Sequence, residues 1–499
     1  MRKNYIDSMI VKSINNAAHT FNLKLEHQNY VYYILIAYFF LYICAGYKIN
    51  ITQYSPDSWA FFELSKTIFS GDFYSFNTFR SYFSTEQSTS FPFGWPTIIA
   101  LTSIVFGVNP VNAVYVNIIL TILICLIISR VGRILNLPMI SSCLIFSALV
   151  FYRPYANEVF SGRSMPLAIF LFMFAVYFYQ RNILFFAGLF VGLSALVRFD
   201  FLIYSIIFQF VALLISRNIL KNFFLLVYGF VIGISPWMLY SYINFDKIWV
   251  SDNAWVAFSA LPAFVVDYPA APVVSALAEP ITWFGRVFWN IPPLFKSLIK
   301  STFYFPIFIG FLFFLILNFN RVSLVARYRL TLLLFSSILA LTPYALTGYF
   351  DSRYFILFFL VNSVFSMHIL NSIADIKYAG LSYIGLNFVL LTITVFIGLI
   401  FIGRDVFISE VKLVDSINQE SQIKYLSRCH LRNPKSTYIF MNEVGELAPR
   451  YGAVTGMRTA LIPSNFARMT DVEKSKYFEF MQPYVLIDSL AKVEECTSQ

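Results

Sequence analysis

The chain alternates apolar runs with short polar turns up to about Ile402 and then changes character. The apolar runs are roughly 15 to 20 residues long, close to the length that crosses a hydrocarbon core. From Gly403 onward, polar and apolar residues mix as in soluble proteins. The pattern predicts a mainly α, polytopic helical membrane domain over 1–402, followed by a small soluble α/β domain over 403–499.

The apolar runs predict about eleven transmembrane helices. They are Val31–Gly46, Val111–Ile128, Met139–Phe151, Met165–Tyr179, Ile183–Val197, Phe201–Ile215, Phe223–Tyr242, Phe303–Leu317, Leu330–Leu346, Tyr354–Leu370 and Leu381–Ile402. The apolar piece Thr97–Val108, flanked by Pro96 and Pro110, is too short to span. We interpret it as an interfacial or half-inserted helix.

The distribution of charge predicts the orientation. Every turn expected in the cytoplasm carries Lys or Arg, whereas acidic residues gather in the turns on the other side. The positive-inside rule then places the N-terminus in the cytoplasm and the C-terminus outside. The segments 47–109 and 244–300 become large outer loops, with the proline-interrupted stretch Trp255–Leu277 lying on the outer surface. A Lys/Ile/Asn-rich chain is typical of bacteria, and we predict a multi-pass protein of the inner (plasma) membrane.

Three short stretches of the C-terminal region predict buried strands: "STYIFMN", "TALIPS" and "YVLIDS". The stretch from Met469 to Phe480 predicts a helix. Cys429 and Cys496 both fall in this region. On an oxidising side of the membrane they either form a disulfide or remain free thiols, and both alternatives stay open.

Composition excludes two other classes of protein. The chain is 58% hydrophobic and 12% charged, about half the charge of an average soluble protein. Its formal net charge is +10, but the basic residues are scattered between apolar runs rather than clustered in a stripe for phosphate backbones, so we predict no nucleic-acid binding. The dispersed His and Cys residues predict no zinc site.

The stretch "YSPDSWAFF" lies shortly after the first apolar run. Ser55 suits a helix cap, Pro56 the first helical position and Asp57 the first turn, where the helix dipole favours an ionised carboxylate. Asp57 is therefore either a functional carboxylate near the membrane surface or an ordinary stabiliser of a helix end.

Two further features do not fit a purely structural bundle. "STSFPFGWPTIIAL" predicts a rigid, aromatic-lined loop, although an aromatic belt at the membrane interface would have the same composition. Ionisable residues stand at outer helix ends in "YRPYANEVFSGRSMP", "LVRFDF" and "GYFDSRYF". Charge at membrane depth is costly and tends to mark function, while the plain alternative is internal Arg–acid pairing within each motif.

The ordered set of these motifs resembles the GT-C superfamily of polytopic membrane glycosyltransferases. The likeness is to the bacterial branch related to protein O-mannosyltransferases and lipid A aminoarabinose transferases, and it covers about the first 370 residues. Asp57, Ser58 and Phe61 match a "D-S-x-x-Y/F" setting, and "FPFGWPTIIA" approximates "P-P-x-x-P-x-x-x-A". "VGLSALVRFD" matches "G-L-x-x-L-x-R", and "SRYFIL" matches an "R-Y-x-x" helix start. The chain departs from the pattern at Arg163–Pro166, where relatives have Ser-Glu-Pro.

The resemblance implies a polyprenyl-phosphate sugar as donor and a hydroxyl of an extracytoplasmic glycan, lipid or protein as acceptor. Asp57 is the candidate general base, and Glu158 is a candidate second acid. The candidate cations for the donor phosphate are Arg198 and Arg353, followed by Arg80 and Arg163. Trp59 and Trp95 are candidates for contact with donor or acceptor. We predict inversion at the anomeric carbon and no cofactor. The plentiful outer carboxylates leave a divalent metal as an open alternative, although no ligand spacing supports one.

Two other classes of function remain open. Many spans and intramembrane charges also suit a transporter or glycolipid flippase. Transporters, however, place charges near the bilayer midplane and often have repeated halves, whereas here the charges stand at outer helix ends. A non-catalytic accessory subunit is the third alternative.

Overall fold

The computed structural model describes the following residues: 12–20, 22, 37, 56–70, 78–79, 91–214, 219–251, 280–303, 341, 344, 352–371, 384–385, 387–396, 437–440, 459–461, 471 and 484–487. This part of the chain is mainly helical. In chain order the helices are α1 Pro56–Thr67, α2 Gly94–Phe106, α3 Val111–Ile134, α4 Met139–Phe151, α5 Arg153–Phe160, α6 Met165–Gln180, α7 Leu184–Val197, α8 Phe201–Leu214, α9 Ile219–Phe245, α10 Pro280–Phe303, α11 Ile356–Asn371 and α12 Asn387–Phe396.

Most of these helices begin and end close to the predicted bounds. The predicted Met139–Phe151 matches α4 at both ends, and α6, α7 and α8 differ from prediction by one residue at one end. The predicted spans Val31–Gly46, Phe303–Leu317 and Leu330–Leu346 lie almost entirely outside the described residues. The apolar runs thus predict α4, α6, α7 and α8 to within one residue at each end.

Two of the described helices, α3 and α9, are long and apolar enough to cross a membrane, with 24 and 27 residues. A third candidate is the pair α4 and α5, which meet at a bend of 65° and would form one broken span. The other apolar helices have 10–17 residues. These helices are consistent with a membrane protein, while the count of eleven crossings stays a prediction.

The predicted interfacial piece Thr97–Val108 corresponds to α2, which has 13 residues. Such a helix is about 20 Å long, shorter than the roughly 30 Å of a hydrocarbon core. Its first turns are buried around Trp95 and Ile99, whereas Val105 and Phe106 near its end are 72% and 74% exposed. The length therefore fits a helix that does not cross a bilayer by itself.

The predicted outer loop 244–300 contains a helix that was not predicted. Its last part belongs to α10, a helix of 24 residues that contains Pro292 and Pro293. The helix was not predicted because its apolar residues recur at helical spacing without forming a continuous apolar run. The short helix α5 was also not predicted as a helix, since its eight residues include Arg153 and Glu158 and form no apolar run.

Glycine pairs hold α7 and α9 in close contact. Gly188 and Gly192 on α7 face Gly229 and Gly233 on α9, with the small–x₃–small spacing that lets helix backbones approach in membranes. A Cβ on Gly192 would lie 2.5 Å from the Phe230 carbonyl oxygen, and one on Gly233 would lie 2.5 Å from that of Leu189. This contact fixes α7, whose C-terminal end carries Arg198.

Short parallel strands bring a part of the first outer segment to the C-terminal region. They are β1 Thr78–Phe79, β2 Thr437–Phe440, β3 Thr459–Leu461 and β4 Tyr484–Ile487. Their order in the sheet is β1–β3–β2–β4, so β1 pairs with β3 at one edge. The three C-terminal strands lie within the stretches for which strands were predicted. Within the predicted helix Met469–Phe480 only Asp471 is described, and the complete α/β domain stays a prediction.

We expect Gly192→Leu to destabilise the protein, because its Cβ would clash with the backbone of α9. Overpacking of this kind typically costs about 1–3 kcal/mol. The thermal midpoint of the detergent-solubilised protein measures the effect. Gly285→Leu on α10 is the matched control, since a Cβ at Gly285 meets nothing within 4 Å. Equal midpoints for the two variants would contradict the close packing of α7 and α9.

Candidate functional site

A buried carboxylate, Glu158, is the centre of the candidate site. Its side chain is 1% exposed, and its Oε1 accepts a hydrogen bond from Nη1 of Arg163 at 2.8 Å. Nη1 of Arg353 lies 3.8 Å from the same oxygen, and Nη1 of Arg198 lies 3.9 Å from Oε2. One acid therefore contacts three guanidinium groups that come from three separate segments of the chain.

The backbone around Glu158 is held by two buried side chains from other helices. Nδ2 of Asn117, on α3, donates to the carbonyl oxygens of Glu158 and Val159 at 3.3 Å and of Arg163 at 2.9 Å. Nε1 of Trp95, on α2, donates to the carbonyl oxygen of Gly162 at 3.0 Å. These bonds satisfy carbonyls at the end of α5 and so fix the positions of Glu158 and Arg163.

Arg198 follows the last residue of α7 and forms a bidentate ion pair. Its Nε lies 3.0 Å from Oδ1 of Asp200 and its Nη2 lies 3.0 Å from Oδ2. The hydroxyl of Tyr344 donates to Oδ2 of Asp200 at 3.0 Å. Burial by itself lowers the pKa of the Arg198 guanidinium, but the carboxylates of Asp200 and Glu158 raise it by more, so the pKa lies above its ordinary value. Arg198 is therefore a permanent cation.

Arg353 joins the cluster to Asp57. It lies in a 3₁₀ turn, Ser352–Phe355, directly before α11. Its Nη1 donates to Oδ2 of Asp57 at 3.4 Å across 296 positions of sequence, and its Nη2 donates to the Tyr354 hydroxyl at 3.2 Å. The Tyr354 ring also lies 5.1 Å from the Arg353 guanidinium and 5.9 Å from that of Arg198. Both distances suit cation–π contacts.

Asp57 is the most exposed member of the cluster. Its side chain is 32% exposed, compared with 18% for Arg353 and 1% for Glu158. It stands in the first turn of α1, which begins at Pro56 as predicted. The predicted cap, Ser55, lies outside the described residues. The cluster is thus buried on the side of Glu158 and more open to solvent on the side of Asp57.

The structure brings together five of the residues singled out from the sequence: Asp57, Glu158, Arg163, Arg198 and Arg353. Arg80 and Asp351 lie outside the described residues. The pairs Arg163–Glu158 and Arg198–Asp200 are pairings within one motif, which was the plain structural alternative. The contacts of Glu158 with Arg198 and Arg353, and that of Arg353 with Asp57, connect different motifs.

The two tryptophans proposed to contact a substrate are both buried. Trp95 is 0% exposed and Trp59 is 6% exposed, so both indole rings pack in the apolar core. The proline-flanked aromatic stretch turns Trp95 inward, where it binds the Gly162 carbonyl. In this structure Trp95 supports the backbone beside Arg163.

Sequence reasoning missed the residues that position the cluster. Asn117 is a fully buried amide inside an apolar helix, and that isolation within "VYVNIILTIL" was a signal that could have identified it. Tyr344 and Tyr354, which stack with ring centroids 4.5 Å apart, gave no comparable signal because the chain has 32 tyrosines.

The arrangement is suited to an oxyanion. Guanidinium groups bind phosphate and carboxylate through forked N–H donors, and three of them converge here beside three carboxylates. Each of these carboxylates faces a guanidinium. Within the part of the chain that the structure describes, no group of three or more His, Cys, Asp or Glu could hold a metal ion.

Comparison of the chain with protein families, with curated proteins and with solved structures finds no match.

We expect Glu158→Gln to destabilise the protein strongly, because it leaves three clustered cations without the acid they share. Removing one partner of a buried ion pair typically costs about 3–5 kcal/mol. Chemical or thermal unfolding of the purified protein measures the loss. Asp246→Asn, at an exposed acid after α9 with φ 53°, is the control because Asn also adopts the left-handed conformation. A Glu158→Gln protein as stable as this control would show that the shared carboxylate is dispensable.

Proposed function

We propose that the protein is a glycosyltransferase that moves a sugar from a polyprenyl-phosphate donor to an acceptor hydroxyl outside the cytoplasm. The observation that carries the proposal is the ion pair between Asp57 and Arg353 above the buried Glu158. It combines a partly exposed carboxylate with adjoining guanidinium groups, which is what transfer from a lipid phosphate to a hydroxyl requires. The motif resemblance to GT-C glycosyltransferases supports the same reaction.

In the proposed reaction, the acceptor oxygen attacks the anomeric carbon while the bond from that carbon to the phosphate oxygen breaks. The acceptor proton goes to the Asp57 carboxylate, and the electron pair of the broken bond leaves with the polyprenyl phosphate. A single displacement inverts the anomeric centre. A well-placed general base typically contributes about 10²–10⁴-fold to the rate.

The leaving phosphate gains charge as the bond breaks, and fixed cations stabilise such charge best in a site that excludes water. Arg198 and Arg353 are the proposed phosphate ligands, because they flank Tyr354 and both lie within 4 Å of the same acid, Glu158. Arg163 is already bound to Glu158 at 2.8 Å, and in the proposal it mainly holds that acid in place. Arg80 remains a further candidate cation.

The proposed setting is a multi-pass protein of the bacterial plasma membrane. It has about eleven spans, an N-terminus in the cytoplasm, and a C-terminal α/β domain on the outer face. Asp57, Arg198 and Arg353 all stand at helix ends rather than in the middle of a long apolar helix. That placement suits a site at the membrane surface and favours the transferase over a transporter. Modification of a surface polysaccharide such as O-antigen is the proposed role.

We expect Asp57→Asn to remove most of the transfer activity, by roughly 10²–10⁴-fold, while the protein remains folded and membrane-inserted. Asn keeps the shape of the side chain but cannot accept a proton. The assay mixes purified protein with polyprenyl-phosphate sugar and candidate acceptors and measures the released polyprenyl phosphate.

Asp246→Asn, at the exposed turn after α9, is the matched control and should retain activity. Near-normal release by Asp57→Asn would remove this residue from the mechanism. If the wild-type protein moved the intact lipid-linked sugar across vesicles without releasing polyprenyl phosphate, the flippase alternative would replace the transferase.

We expect Arg353→Ala to weaken donor turnover more than acceptor binding, because the leaving phosphate loses a cation. Arg353→Lys should recover part of the rate, since it restores the charge but not the forked donor geometry. The dependence of rate on donor and on acceptor concentration separates the two effects. Arg130→Ala, at an exposed position on α3, is the control. An unchanged donor dependence in Arg353→Ala would exclude this role.

A further inference from the structure

The helix α10 presents an apolar and basic face that is largely exposed. Along this face Phe288 is 71% exposed, Trp289 84%, Phe295 45% and Ile299 56%. Spacings of seven and four positions place Phe288, Phe295 and Ile299 on one side of the helix, with Trp289 next to them. Large aromatic and aliphatic side chains exposed in this way call for a partner.

The opposite side of α10 is buried. Leu294 is 7% exposed and belongs to the apolar core that also contains Phe355 and Tyr344, and Leu298 packs against that core. The helix also contacts the 3₁₀ turn Ser352–Phe355, which carries Arg353. The exposed face is therefore presented by a helix that is anchored in the protein beside the candidate site.

The charges of α10 all have one sign. The helix contains Arg286, Lys296 and Lys300 and no Asp or Glu. Lys296 and Lys300 are exposed and stand one helical turn apart, in line with Trp289. A face of this kind is complementary to a surface that has an apolar interior and a negatively charged outer layer.

We propose that α10 lies in the membrane interface, with Phe288, Trp289, Phe295 and Ile299 among the upper acyl chains and Lys296 and Lys300 on anionic lipid headgroups. Amphipathic helices with this distribution bind anionic bilayers in the plane of the interface, and aromatic residues gather at the same depth. The long lysine side chains reach up to the headgroups while their stems stay apolar. The proposal does not depend on the chemistry of the candidate site.

A protein partner would need a different face. Contact surfaces between proteins are depleted in Lys at their centre, yet here Lys296 and Lys300 adjoin the exposed aromatic residues directly. The same chain also carries α3 and α9, which are long and apolar enough to cross a bilayer. If α3 and α9 cross a bilayer, that bilayer lies within reach of α10 in the same protein.

Fluorescence quenching tests the proposal on the full-length protein in vesicles. Wild type and Trp289→Phe are each reconstituted into phosphatidylcholine, with or without phosphatidylglycerol, and the difference of their emission gives the Trp289 signal. We expect a lipid with a nitroxide high on its acyl chain to remove roughly half of that signal, and aqueous acrylamide to remove much less. The lipid quenching should increase with phosphatidylglycerol.

The paired change Lys296→Gln and Lys300→Gln should abolish that dependence on phosphatidylglycerol. Lys221→Gln with Lys247→Gln, two exposed lysines on and beside α9, is the matched control and should leave it unchanged. A Trp289 signal quenched by acrylamide but not by the nitroxide lipid would show that the face lies in water. A signal quenched by neither would show that protein covers it. If the nitroxide lipid quenched the wild-type Trp289 signal equally with and without phosphatidylglycerol, the proposed role of the lysines would be wrong.

Discussion

The site depends on one buried acid that three arginines share. Burying a charge costs several kcal/mol unless it is paired, and Glu158 with a 1% exposed side chain is paired on several sides. Its contacts join the end of α5, the end of α7 and the turn before α11. Each of these segments brings a guanidinium that would be costly to bury by itself. The cluster therefore selects one mutual arrangement of helix ends that apolar packing alone would leave less defined.

The surrounding helices give that cluster its rigidity. The glycine contact between α7 and α9 determines where α7 ends and hence where Arg198 stands. The Trp95 indole and the Asn117 amide hold the turn that carries Arg163. Asp57 alone combines partial exposure with a direct bond to the cluster through Arg353. The proposed transfer reaction requires rigidly held guanidinium groups beside one accessible carboxylate, and the cluster provides both.

Helices and sites differed in how far the sequence could predict them. Long apolar runs bounded by Pro, Gly or charge determine helix ends locally, so Met139–Phe151 was predicted at both ends. The helix α10 was missed because its apolar residues follow a 3.6-residue period interrupted by two prolines. The members of the cluster were found from charges at helix ends. Their partners were not, because the pairing of Asp57 with Arg353 joins positions 296 residues apart. The burial of Trp95 was not predicted, since composition does not tell which way an aromatic ring faces.

The proposed lipid-phosphate site is tested most directly by a cryo-EM structure of the protein bound to polyprenyl phosphate, the product of the proposed reaction. We expect a phosphate on the open side of the cluster, about 2.7–2.9 Å from guanidinium nitrogens of Arg198 and Arg353 and next to Asp57. Phosphate density elsewhere, with the Asp57–Arg353–Glu158 contacts unchanged and closed to the ligand, would contradict it.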